Sequence, residues 1–251
     1  MNGDYEMVDG QPQSLVFTTC RFNESGQVLA WNLHLNRMEE AAEKIRCQKP
    51  DSTSLHEALQ SSINEHGPRE GLARLEWTSK GEVNCETRDI QSLPSPLVAI
   101  TYPAPQWPRR LRGIKHGSWE QYLKAGESAK SAGADIALLV HNHTIVDADR
   151  ATPILLDENG LAYSPGPDQG GVASITLSLI TEHLEQNGIP LRRAFLTDEM
   201  LLRCKEMVVV GTGLGVLPIG EIDGVDISIG NHLTNIITDA LKIAWEGTQH
   251  G

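Results

Sequence analysis

Lys115 stands in the run Leu111-Arg112-Gly113-Ile114-Lys115-His116, just ahead of a predicted helix and close behind Arg109, Arg110 and Arg112. Neighbouring positive charge lowers the pKa of an amine, and an uncharged lysine can condense with a carbonyl group or take a proton. Most lysines do neither and simply carry surface charge, so the surroundings decide. Upstream lies His34-Leu35-Asn36-Arg37, downstream Ser174-Ile175-Thr176, and near the end Gly211-Thr212-Gly213-Leu214 followed by Pro218. Ser174 to Thr176 open a predicted helix, whose first N–H groups point at any anion placed there. These are the places at which a phosphate-bearing aldehyde would need partners. Each piece also has an ordinary explanation, as a solvated linker lysine, a helix-surface arginine or a Ser-capped helix. The weight lies in their order along one chain.

The run Val210-Gly211-Thr212-Gly213-Leu214-Gly215 follows a buried-type strand and invites reading as a dinucleotide-binding turn. Three features oppose that reading. Val216 stands where the third glycine is required, Pro218 interrupts the phosphate-binding helix, and the run lies at the wrong end of the chain.

An α+β chain has to carry these groups. Residues 15–22 and 27–31, on either side of Asn23-Glu24-Ser25-Gly26, predict a β-hairpin. Met38, Ala41, Ala42 and Ile45 recur at helical spacing from Leu33 until Lys49-Pro50, and Leu55, Ala58, Leu59 and Ile63 repeat the pattern over 54–65. Strands are expected at 72–77, 82–87 and 97–101. The stretch Pro103-Ala104-Pro105-Gln106-Trp107-Pro108 marks a boundary. It divides a small N-terminal α+β domain over 1–103 and a linker over 104–113 from a larger domain over 114–251. In that second domain a helix is predicted over 118–132 with Ser118 as its cap, then strands at 136–140 and 144–146. A hairpin of 152–156 and 160–163, helices over 172–186 and 198–204, and a buried strand at 207–210 follow.

Composition narrows the class. The chain has 251 residues, and 33 acidic against 21 basic side chains leave a formal charge of −12. That charge repels nucleic acid and anionic membranes, and no basic patch of nucleic-acid size offsets it. Cys20, Cys47, Cys85 and Cys204 lack paired spacing, which argues against a metal site and a disulfide framework and for reduced thiols in a cytoplasmic protein. The polar, acidic start at 1–6 and the lack of a long apolar run predict neither export nor membrane insertion.

Taken together, five segments resemble the class IV aminotransferase family, the pyridoxal-phosphate enzymes of fold type IV. They are Phe17 to Arg21, His34 to Arg37, Gly113 to His116, Asp168 to Thr176 and Gly211 to Pro218, within a resemblance covering about 15 to 225. Gly-Ile-Lys-His matches letter for letter. The resemblance implies a two-domain fold like that of the D-amino-acid and branched-chain aminotransferases, with Lys115 as the Schiff-base lysine. Arg37 would meet the phosphate, with the backbone of Ser174, Ile175 and Thr176 and the late loop at Gly211 and Thr212. Asp147 falls where the family usually places a glutamate against the pyridine nitrogen. Either carboxylate keeps that nitrogen protonated, but aspartate is one methylene shorter. An ordinary turn-forming role for Asp147 stays open. Two departures stand out: Leu177 replaces the arginine that commonly follows the Ile-Thr pair, and the Asp-Arg and Gly-Asp-Gly signature ahead of Phe17 is absent.

Phe17 to Arg21, Ile114 to His116 with Glu120-Gln121, and Asp168 to Val172 look most like the 4-amino-4-deoxychorismate lyase branch. That branch converts aminodeoxychorismate to 4-aminobenzoate and pyruvate. Thr19, Arg109, Arg112, Gly213 and Leu214 are the expected substrate contacts, the arginines because the substrate carries two carboxylates. Transamination between an amino acid and a keto acid is the alternative, since imine and base serve both reactions. A non-catalytic member that binds a ligand or partner is the second alternative. The resemblance also implies a homodimer acting on a small amino compound.

Overall fold

A computed structural model of the chain describes residues 13–248; the polar start at 1–6 lies outside them. β1 (Leu15–Phe22) is followed by α1 (Trp31–Ile45), α2 (Ser52–His66), β2 (Gly71–Thr78) and β3 (Val83–Arg88), and the strands form an antiparallel sheet in the order β1-β2-β3. Met38, Ala41, Ala42 and Ile45 of α1 and Leu55, Leu59 and Ile63 of α2 are buried in one cluster with Cys20, Ala73 and Leu75. Their i, i+3, i+4 spacing is therefore the face turned to the sheet. The expected hairpin of 15–22 with 27–31 does not form. One bridge joins Phe22 to Val28, and the whole of β1 pairs with β2, a longer partner whose side chains can cover it.

The larger part runs through β4 (Leu97–Pro103), α3 (Glu120–Ser131), β5 (Ile136–His141), β6 (Thr144–Ala148), β7 (Thr152–Asp157), β8 (Ala162–Ser164), α4 (Ile175–Gln186), β9 (Leu191–Arg193) and β10 (Leu196–Thr197). It ends with α5 (Asp198–Leu202), β11 (Cys204–Gly211), β12 (Gly215–Ile222), β13 (Val225–Asp226) and α6 (His232–Thr248). These strands make one mixed sheet, ordered β10-β6-β5-β4-β12-β11-β7-β8-β9 with β13 on β12. β4 belongs to this sheet, parallel to β5 and β12. The change of sheet thus comes before 97, ahead of the proline-rich stretch.

β6 and β7 stand five places apart in the sheet, which would separate them by about 24 Å if it were flat. Only residues 149–151 join them, a reach of about 14 Å from Ala148 to Thr152. The sheet must therefore curl. Alternate side chains bear this out: Ile136 and Leu138 of β5 and Met207 and Val209 of β11 share one interior cluster. Ala137 and Leu139 face α3, while Val208 and Val210 face α4 and α6.

Two further expectations change. The cap residue of α3 is Trp119 and no side chain caps it, so Ser118 does not act as one. Pro218 lies in β12 opposite Val208, so the late loop contracts to the turn between β11 and β12. α6 has no counterpart in the sequence reading. Among the described residues there is no helix long and apolar enough to cross a membrane and no cluster of metal-ligating side chains.

Candidate active site

Residues 115–117 lie along the edge of β1 that β2 leaves open. Lys115 O accepts the Phe17 N–H at 3.3 Å, and the Gly117 N–H donates to Leu15 O at 3.0 Å. On the other side, Gly113 O accepts the Ala173 N–H at 2.9 Å. Gly113 has φ +81°, and a Cβ there would stand 2.6 Å from Pro167 Cβ. A glycine is required both for the backbone turn and for this approach. The lysine is so tied at once to the small sheet and to the entry of α4.

A cavity of about 510 Å³ opens between these elements. Lys115, Arg37, Asp147, Ser174, Ile175, Thr176, Gly211 and Thr212 all line it, as do Thr19, Gly213 and Leu214. Burial brings the Lys115 ammonium down to about 7, helped by the Arg37 and Arg74 guanidiniums and opposed by the Asp147 carboxylate. Its Nζ sits 4.6 Å from the Trp119 ring centroid and 5.2 Å from that of Phe17. Trp119 in turn stacks on Tyr122, 3.9 Å between centroids.

Asp147, on β6, is 2% exposed. It accepts hydrogen bonds from the Tyr122 hydroxyl at 3.2 Å and the Val172 N–H at 3.1 Å. Burial nevertheless raises its carboxyl to about 7, against the pull of those donors and of Lys115. A positive charge brought beside it would be compensated without a further protein group.

Arg37 lines the cavity with its guanidinium braced by the Ala173 carbonyl, at 3.1 Å, and the Thr18 hydroxyl. Arginine cannot accept, so Thr18 Oγ1 accepts from it and donates to His34 Nδ1 at 2.6 Å, which leaves the ring proton on Nε2. Burial, with help from Arg37 and Lys115, holds His34 well below its usual range and so neutral. The Arg37 Nε is buried without a partner. Such an orphan costs about 1–3 kcal/mol unless an acceptor arrives. At the start of α4, Ser174 Oγ accepts the Leu177 N–H at 3.3 Å, and the N–H groups of Ile175 and Thr176 have no intrahelical acceptor. A guanidinium and a helix N-terminus lining one cavity fit a phosphate.

The structure does not bring Arg109 and Arg112 to this cavity. Arg109 lies in the 3-10 turn Arg109–Leu111 and is exposed. Arg112 points to a separate hollow, donating to the carbonyls of Trp107 at 3.3 Å and Asp168 at 3.5 Å. The turn at Gly113 sends the chain into the cavity only after both arginines have passed. Arg74, Trp119 and Tyr122 line it instead, although the sequence reading assigned none of them a role. Arg74 lies with its Cζ 3.8 Å from the Phe17 ring centroid. An arginine in mid-strand, like an aromatic residue at helical spacing, carries no signal of its own; only the pairing of β1 with β2 brings Arg74 beside Phe17.

The family model for amino-transferase class IV matches residues 15–222. A D-alanine aminotransferase of Listeria monocytogenes serotype 1/2a is 23% identical over 227 residues, covering 82% of this chain and 78% of the relative. A Legionella pneumophila structure, provisionally named a 4-amino-4-deoxychorismate lyase, superposes with TM-score 0.81 at 16% identity and covers 96% of this chain and 97% of that one. A "hypothetical aminotransferase" of Mycobacterium tuberculosis in its PLP-bound form gives TM-score 0.80 at 15% identity, covering 97% and 94%.

Proposed function

The chain belongs to the class IV aminotransferase family, and from that premise we propose that it is a pyridoxal-phosphate-dependent carbon–oxygen lyase converting 4-amino-4-deoxychorismate to 4-aminobenzoate and pyruvate. When bound, the cofactor supplies an aldehyde that captures amines and a ring that stores the electron pair released at the neighbouring carbon. One observation carries the reading: the Lys115 amine shares its cavity with the Arg37 guanidinium, whose Nε lacks a partner, the start of α4 and the buried Asp147. Arg37, the N–H groups of Ile175 and Thr176, and Thr212 would hold the phosphate. Asp147 would face the ring nitrogen.

Lys115 Nζ, brought to about 7, is a base at neutral pH. It takes the proton from the amine-bearing carbon of the substrate as the enolpyruvyl oxygen leaves. The same proton can pass from Nζ to the departing group, which ends as pyruvate, so no oxidant or acceptor is consumed. The lyase segment likeness around Phe17, Lys115 and Asp168 favours this outcome. Transamination is the second reading, favoured by the aminotransferase names of curated relatives. The proposed unit is a homodimer, which sedimentation tests.

Borohydride reduction of the protein with pyridoxal phosphate, followed by peptide mass analysis, should place the pyridoxyl group on Lys115. Its absence there would end both catalytic readings. Pyruvate released from aminodeoxychorismate without a keto acid supports the lyase; strict need for an acceptor supports the transaminase. Lys115→Ala should abolish either.

A further inference from the structure

The cavity wall carries an arginine that neither the phosphate nor the amine chemistry uses and that a buried carboxylate fixes in place. Arg150, in the short link between β6 and β7, lines the same cavity as Lys115. Its Nε donates to Asp149 Oδ2 at 2.8 Å, and that carboxylate is 4% exposed against 42% for the arginine side chain. Asp149 is itself fixed, because its Oδ1 accepts the Ala137 N–H at 3.1 Å. A buried, backbone-anchored carboxylate therefore grips the inner nitrogen of the guanidinium. Neither Nη of Arg150 meets an acceptor among the described residues, and both remain as a fork of donors. Gly126 of α3 makes the room: a Cβ there would stand 2.6 Å from Asp149 Oδ2 and 3.4 Å from Arg150 Nη2.

Of the other arginines of the wall, Arg88 at the end of β3 is exposed and has no carboxylate to fix it among the described residues, and two are otherwise engaged. Arg37 is braced by Thr18 and Ala173, and Arg74 is paired with Glu76 at 2.7 Å and lies on Phe17. Six basic and four acidic side chains line the cavity of a chain whose net charge is −12. Local charge thus runs against the whole and favours an anion.

We propose that Arg150, aimed by Asp149, is a carboxylate-binding group of the substrate pocket, and that the amino substrate carries a second carboxylate that reaches it. The proposal rests on the reading of Lys115 as the amine-exchanging centre and narrows the substrate to amino dicarboxylates over amino acids with an apolar side chain. A planar fork already held at one end loses little freedom on gripping a carboxylate through two parallel bonds.

The test titrates the cofactor-loaded protein with succinate, glutarate and butyrate by calorimetry. A dicarboxylate should bind about tenfold or more tighter than butyrate, the worth of one charge-assisted contact. Arg150→Gln should bring that ratio to within about twofold, through weaker binding of the dicarboxylates. Gly126→Ala, which keeps the arginine but pushes on the carboxylate that aims it, should shrink the ratio too. A ratio that survives in Arg150→Gln, or no dicarboxylate preference in the parent protein, overturns the proposal. The pyridoxyl adduct on Lys115 is read separately. If it fails to form, the cofactor reading falls, and the same titrations on the cofactor-free protein still decide whether Arg150 selects dicarboxylates.

Discussion

The amine of Lys115 and the carboxylate of Asp147 share one cavity, and burial draws both to about 7 from opposite directions. Each group offsets the other's shift, so the pair can exchange charge near neutrality without a large change in the site's total. A base and a carboxylate poised in this way suit a reaction in which a proton leaves carbon and a positive ring nitrogen must be balanced.

Lys115 should therefore react as an amine at pH values where surface lysines are protonated. In competitive acetylation read by peptide mass analysis, its reactivity should rise with a midpoint at about 7. Arg37→Gln removes a neighbouring positive charge and should move the midpoint up; Asp147→Asn removes a negative one and should move it down. A midpoint near that of the surface lysines would overturn the electrostatic account of the site.

Arg37→Gln should also weaken the cofactor. Charge-assisted bonds to phosphate are worth about 1.5–3 kcal/mol, so the dissociation constant should rise about 10- to 100-fold in a fluorescence titration of the cofactor-free protein. An affinity within twofold of the parent would place the phosphate elsewhere.

Gly113→Ala forces a side chain into a left-handed backbone and against Pro167. The conformation alone costs about 1–2 kcal/mol, and the overlap adds to it. Urea unfolding should show a loss of about 2 kcal/mol or more, with less pyridoxyl trapped on Lys115. Unchanged stability would mean that this turn is not strained by a Cβ.

His116 is fully buried against Trp107, at 4.6 Å between ring centroids, and neither ring nitrogen has a partner. Burial lowers its pKa from 6.5 to about 4. Between those values the unfolded chain binds the proton and the folded one does not, so this residue adds stability as pH rises from about 4 to 6.5 and loses it on acidification. The difference reaches about 3 kcal/mol at 1.36 kcal/mol per unit. His116→Phe should flatten the acid limb of urea unfolding free energy measured between pH 4 and 7; an unaltered limb would contradict the shift.

Much of the site was legible in the chain because its chemistry sits in short contiguous motifs. Gly113 to His116 announce a turn followed by an amine, and Ser174 to Thr176 announce a capped helix start, since turns and caps are decided by neighbours in sequence. The helices expected from Leu33, over 54–65 and over 172–186 followed from apolar spacing for the same local reason, and they form over 31–45, 52–66 and 175–186. What the tertiary structure decided was partnership. Whether β1 pairs with the segment after its turn or with a strand some fifty residues on depends on which surface covers it, and no local signal ranks the two. Arg109 and Arg112 sit next to Lys115 in the chain yet leave its cavity at the Gly113 turn. Arg74 and Arg150, distant in sequence, line it because the large sheet curls and the small sheet lies across the same cavity. Residue type and spacing determined which groups could act; the closing of strands over long loops determined which of them meet.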